Sequence, residues 1–156
     1  MSIEENNFYK SANEKFDKED YQGAIDDLTK LIELDPENIK GWGNRGLAKL
    51  KLEDYQGAID DYSAALELDP NNVNVWKNRR LAKFKLENYQ GVIDDYSKAL
   101  KLDPWNVDIW SNRADAKYNF EDYQGAIDDY SKAIELDPID VKIWSWRGHA
   151  KARLED

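Results

Sequence analysis

The chain has 156 residues, 41% hydrophobic and 35% charged, enough for one domain with a real core and ordinary for a charge-rich helical protein. No apolar run approaches the roughly 18–20 residues that a membrane span needs. A cysteine count of zero removes disulfides, thiolate nucleophiles and cysteine metal sites, and a net charge of −10 argues against sequence-independent nucleic-acid binding.

The chain starts MSIEENNFYK, polar and acidic, without the basic and apolar regions of a secretion signal. A cytoplasmic location is the expectation. A first amphipathic helix should follow, and then EDYQGAIDDLTKLIELDP at 19–36. That stretch returns with few changes at 53–70, 87–104 and 121–138. Tyr21, Tyr55, Tyr89 and Tyr123 are spaced by 34 residues, as are Gly23, Gly57, Gly91 and Gly125. All four prolines, Pro36, Pro70, Pro104 and Pro138, keep the same register. A fixed period of this size marks one supersecondary unit stacked on itself. Units therefore fall at 5–38, 39–72, 73–106 and 107–140, with a partial fifth, 141–156, forming a single domain over 1–156.

Each unit reads as two helices. In 39–72, Asn38 is the N-cap of the first helix, and Asn72, Asn106 and Asp140 repeat that role. Trp42, Ala48, Leu50 and Leu52 supply the apolar side. Asp54 caps the second helix, where Tyr55, Ala58, Ile59, Tyr62, Ala65 and Leu66 recur at helical spacing. Asp69-Pro70 ends it, because proline disfavours helical geometry in the residue before it. Helices of about a dozen residues are marginal alone, so the units must hold one another.

These residues resemble the tetratricopeptide repeat pattern, W-x2-L-G-x2-Y, then A-x3-F, then P. Trp42, Gly46, Ala58, Tyr62 and Pro70 match it in the second unit. The resemblance covers nearly the whole chain: four repeats and a C-terminal capping helix. It implies an all-α fold, a right-handed superhelical α-solenoid of antiparallel helix pairs. The near-identity of the second helices fits either recent duplication or an engineered, consensus-like array.

The pattern is broken at two places. Arg45, Arg79, Arg113 and Arg147 stand where it has Leu, and Lys49, Lys83, Lys117 and Lys151 where it has Tyr. Four residues apart, each Arg and Lys share a helix face, and they should reach the Asp-Asp pairs of the second helices. A charge ladder would then replace part of an apolar seam. Arg80 also departs, occupying the small-residue position of Gly46, Ala114 and Gly148.

The sequence holds no evident catalytic constellation. The single histidine, His149, has no triad partners. Ser63, Ser97 and Ser131 follow the repeat. The aspartates lack the order of a calcium loop, and no phosphate-cradling glycine loop is present. No cofactor is expected, and the chain is read as a non-enzyme.

In the family the first helices line the concave face. Position by position, the resemblance implies a peptide-binding surface that includes Asn13, Lys40, Asn44, Leu47, Lys77, Asn78, Leu81, Asn112, Asp115, Lys142 and Trp146. Asn44, Asn78 and Asn112 make a ladder of amides, each able to donate and accept along a peptide backbone. The competing reading is that they are exposed polar residues copied with the repeat. Some relatives clamp a C-terminal carboxylate, but here only Lys77, Asn112 and Lys142 of five positions match, with Leu81 and Trp146 in the others. Leu47, Leu81 and Trp146 point to a more apolar pocket. Trp105 and Trp146 break the tryptophan register.

Charge divides in the same way. The four second-helix stretches carry −5, −6, −2 and −5 against −10 for the chain, which leaves +8 elsewhere. An acidic back and a mildly basic front favour an acidic peptide or protein partner, with neither nucleic acid nor membrane expected. The alternative is a structural scaffold that self-associates end to end.

Overall fold

The computed structural model describes residues 2–155. Among them are nine α-helices and no strand: α1 (Ile3–Asp17), α2 (Tyr21–Leu34), α3 (Ile39–Lys51), α4 (Tyr55–Leu68), α5 (Val73–Lys85), α6 (Tyr89–Leu102), α7 (Val107–Asn119), α8 (Tyr123–Leu136) and α9 (Val141–Glu155). The fold is an all-α solenoid of helix pairs. Contacts divide the chain into two compact units, Met1–Leu86 with α1–α5 and Glu87–Asp156 with α6–α9. The division falls inside the 73–106 repeat.

Each helix starts on a side-chain cap. Asn38 Oδ1 accepts from the Gly41 amide at 2.9 Å, and Asp54 Oδ1 accepts from Gly57 at 3.0 Å. A Cβ on Gly57 would strike the Asp54 carboxylate, so the glycine of each Tyr-Gln-Gly keeps room for the cap. Ser2 and Glu5 form a capping box on α1.

The turn from first to second helix holds a conformation that the periodicity did not announce. Glu19, Glu53, Glu87 and Glu121 all have φ between 55° and 64°, the left-handed region. At Glu53 the amide donates to Leu50 C=O at 3.2 Å, and the Asp54 amide reaches back to Lys49 C=O at 2.9 Å. This is a Schellman closure with glutamate where glycine is usual. The next residue is already the N-cap of the following helix. One Glu-Asp step thus ends α3 and begins α4.

Within the first unit, Ala58, Tyr62, Ala65, Leu66, Val75 and Ala82 form one core cluster, and Ala12, Ala24, Leu28 and Leu31 another. In the second unit the core runs through Ala114, Ala126, Tyr130, Ala133, Ile143 and Ala150. Gly46 is there for close approach: an added Cβ would lie 2.8 Å from the Tyr62 ring.

Candidate functional site

The charged residues fall into two classes, those consumed in holding the helices together and those left facing outward. Arg45 is the clearest of the first class. Its Nε and Nη2 donate to the two oxygens of Asp61 at 2.9 and 2.7 Å. Lys49 Nζ adds a third contact to Asp61 at 2.9 Å. Nη1 of Arg45 donates backward to Thr29 on α2 at 3.2 Å. The guanidinium also lies over the Trp42 ring, 4.8 Å from its centroid. The indole Nε1 in turn donates to the Pro36 carbonyl at 2.8 Å. One arginine therefore joins α2, α3 and α4.

The second unit repeats this. Arg113 grips Asp129 at 2.7 and 2.8 Å and reaches Ser97 at 3.0 Å. Lys117 stands 2.9 Å from Asp129. In these two pairs only the second aspartate takes part: Asp61 and Asp129 are 2% and 3% exposed, whereas Asp60 and Asp128 face solvent. The outer aspartates accept from Gln56 and Gln124 one turn earlier, at 2.8 Å. The expected charge ladder is present at Asp61 and Asp129, whose pairs are divided between core and surface, while Asp95 of the third expected pair is half-buried. The repeating serines, read from sequence as passengers of the repeat, accept from the arginine of the next helix: Arg79 to Ser63 at 3.2 Å and Arg147 to Ser131 at 3.3 Å. In α1, Ser11 replaces the arginine and binds Asp27 at 2.6 Å beside Lys15 at 2.7 Å. Burial opposes the charge on Asp27, but Lys15 and Ser11 outweigh it and hold its pKa below the ordinary value.

The first helices touch one another directly. Asn44 on α3 donates to the Tyr9 hydroxyl of α1 at 3.3 Å, and a Cβ on Gly43 would meet Val75 of α5 at 3.7 Å. In the second unit Trp146 of α9 packs edge-on to Tyr118 of α7, at 6.4 Å, and to His149, at 5.4 Å. Arg153 donates to the Tyr123 hydroxyl at 3.1 Å.

In the first unit, Asn13, Lys40, Lys77 and Leu81 are exposed, while Asn44, Leu47 and Asn78 are half-buried. Lys40 and Lys77 make no ion pair among the described residues, unlike Lys15 and Lys49, which do. In the second unit Lys142 and Trp146 are exposed, and Asn112 and Asp115 half-buried. The amides of the ladder differ from one another. Asn44 reaches Tyr9, while Asn112 donates to the Asp108 carbonyl of its own helix at 2.6 Å. Asp115 accepts from the buried Tyr130 hydroxyl at 2.6 Å, an engagement that sequence reasoning missed. The signal was there: Tyr130 lies at core spacing from Ala126 and Ala133. No helix is long and apolar enough to cross a membrane, and no three metal-ligating side chains gather, among the described residues.

Two family profiles, both described as tetratricopeptide repeat, match the chain, one at residues 39–72 and 107–140 and the other at 6–38. No curated protein matches it in sequence. Among solved structures, a MamA protein superposes with a TM-score of 0.80 at 21% identity, covering 99% of this chain and 85% of that one. A tetratricopeptide repeat protein from Parabacteroides merdae gives 0.82 at 18% identity, covering 99% of this chain and 61% of that one. The first such domain of human RPAP3 gives 0.61 at 24% identity, covering 77% of this chain and 94% of that one. At these identities the likeness is one of fold. Profile matches, the 34-residue register and the paired helices agree, and the chain belongs to the tetratricopeptide repeat family.

Proposed function

We propose that the chain is a binding module whose first-helix side in the first unit captures an acidic peptide segment. Tetratricopeptide repeats are in general non-enzymatic modules that mediate protein–protein interaction. The observation that carries the finer reading is the sorting of cations. Lys15, Lys49, Arg45 and Arg113 are spent on buried aspartates, while Lys40, Lys51, Lys77 and Lys85, all on first helices, are exposed and make no ion pair among the described residues. Asn44 and Asn78 stand between them, half-buried and able to bond a peptide backbone. Exposed Leu81, 46% accessible, offers an apolar contact. Taken by itself, the second unit has Lys142 one helical turn from the exposed aromatic ring of Trp146.

The reading is tested by screening acidic and C-terminal peptides by fluorescence anisotropy. The double change Lys40→Glu with Lys77→Glu should weaken binding at least about tenfold, and affinity should fall as salt rises. The change Asn44→Ala with Asn78→Ala should weaken it for acidic and neutral peptides alike. Affinity that ignores both double changes would refute the assignment.

A further inference from the structure

The turns that lead from a second helix to the next first helix are held alike and differ in what they display. Asn38, Asn72 and Asn106 donate to Asp35, Asp69 and Asp103 at 3.0, 3.3 and 3.0 Å. Trp42, Trp76 and Trp110 donate to the carbonyls of Pro36, Pro70 and Pro104, each at 2.8 Å. Between these anchors stand Glu37, Asn71 and Trp105, one per turn and all exposed. Since the turn closes alike around a glutamate, an asparagine or a tryptophan, the indole of Trp105 has no task in building it. It is 72% accessible and makes no hydrogen bond, ring pair or cation contact among the described residues.

The last turn of the helix before it changes in step. On α6, Lys98, Lys101 and Leu102 share one side at i, i+3 and i+4, and Trp105 follows three residues on. Leu102 is 84% accessible, and the two exposed lysines make no ion pair among the described residues. On α2 the matching positions hold Lys30, Glu33, Leu34 and Glu37. Lys30 lies over the Phe8 ring, 5.5 Å from its centroid. Leu34 is 47% accessible, and the exposed Glu33 and Glu37 make no ion pair among the described residues. One rim is therefore a leucine and a tryptophan with two cations, and the other a leucine with two anions. The α8 rim neutralises itself, Lys132 to Glu135 at 2.7 Å, and the α4 rim has the single acid Glu67.

We infer that the α6 rim of one copy of this chain docks on the α2 rim of another. Lys98 and Lys101 meet Glu33 and Glu37 across the contact, and Leu102 and Trp105 cover Leu34. An aromatic anchor flanked by complementary charge is what a specific contact is built on. A membrane surface fits less well. Anionic lipid is held by clusters of about 4–8 cations, whereas this rim has two on a chain of net charge −10. The rims are small, so the association is weak and depends on concentration. It is separate from the first-helix surface around Lys40 and Lys77.

The test is sedimentation velocity of the 156-residue protein from about 1 µM to about 1 mM, the range of weak contacts. The mean mass should rise with concentration, and the rise should shrink as salt is added. Trp105→Asn and Glu33→Lys each install the residue that another repeat already has at that place, Asn71 and Lys101. Both should fold as the parent does, which circular dichroism melting verifies. Each alone should weaken association about tenfold or more. Mixed, they should associate again as 1:1 complexes, because the first variant keeps its α2 rim and the second its α6 rim. Two controls, Glu67→Lys and the pair Lys40→Glu with Lys77→Glu, should leave association as in the parent. A parent that stays monomeric over the whole range overturns the proposal, even where Trp105 takes an acidic segment of a different protein. So does association that survives Trp105→Asn or Glu33→Lys, that mixing fails to restore, or that falls as far in either control.

Discussion

The Tyr130 hydroxyl donates to the Asp115 carboxylate at 2.6 Å, while Tyr62, its counterpart two repeats earlier, ends buried without a partner among the described residues. Leu47 occupies the place that Asp115 holds in the later repeat. Burial drives the pKa of both tyrosines well above the usual value, with Asp115 adding to the effect at Tyr130 and Asp61 at Tyr62. Tyr130→Phe should therefore destabilise the protein by about 1.5 kcal/mol, a hydrogen bond to a charged group. Tyr62→Phe removes a desolvated hydroxyl and should be neutral or stabilising by up to about 1 kcal/mol. Urea unfolding of both variants checks the contrast.

The two aspartates of one pair should behave as different kinds of residue. Asp128→Ala touches an exposed contact to Gln124 and should change stability by less than about 0.5 kcal/mol. Asp129→Ala strips a buried anion from Arg113 and Lys117 and should cost about 3 kcal/mol. Equal effects in denaturant titration would contradict the division of the pair.

Acid should weaken the first helix pair through Asp27. Its folded pKa is lowered, so its contribution is complete above the ordinary aspartate value of about 4 and is lost as pH falls through the folded value. Lys15 has a raised pKa, chiefly from its hydrogen bond to Asp27, so its share persists up to the ordinary lysine value and fades only above it. The melting temperature should fall below about pH 4, and Asp27→Asn should flatten that fall relative to the parent.

The strained glutamates offer a gain. Glu53 sits at φ 62°, a region that costs an L-residue roughly 1 kcal/mol and glycine little. Glu53→Gly should stabilise by a few tenths to about 1 kcal/mol after the added freedom of the unfolded chain is discounted. Gly57→Ala, four residues on, should do the opposite and cost about 1 kcal/mol by dislodging the Asp54 cap. Thermal melts of the two variants should move in opposite directions.

Much of the fold could be read from spacing. The caps at Asn38 and Asp54, the stops at Asp35, Asp69, Asp103 and Asp137, and the pairing of arginine with aspartate follow from local rules. The choice of Asp61 over Asp60 was also within reach, since Asp61 lies three residues after Ala58 and four before Ala65, on the buried stripe. The backward reach of Arg45 to Thr29 was not, because it depends on how one pair stacks on the next. The same holds at the candidate surface. Asn44, Asn112 and Asp115 share one helix side by sequence. Tyr9, the Asp108 carbonyl and Tyr130, which each of them finds, differ from repeat to repeat. A helical period gives direction around an axis and is silent about the neighbour met there.

Because fastening is delegated to Arg45, Lys49, Asp61 and their repeats, residues such as Lys40, Lys77 and Lys142 carry no duty in keeping the chain folded. Exchanging them should leave stability almost untouched, so variation on that side does not draw on the narrow margin that most proteins live within. A lineage, or an engineer, could retarget such an array one substitution at a time and never pass through a form too weak to survive.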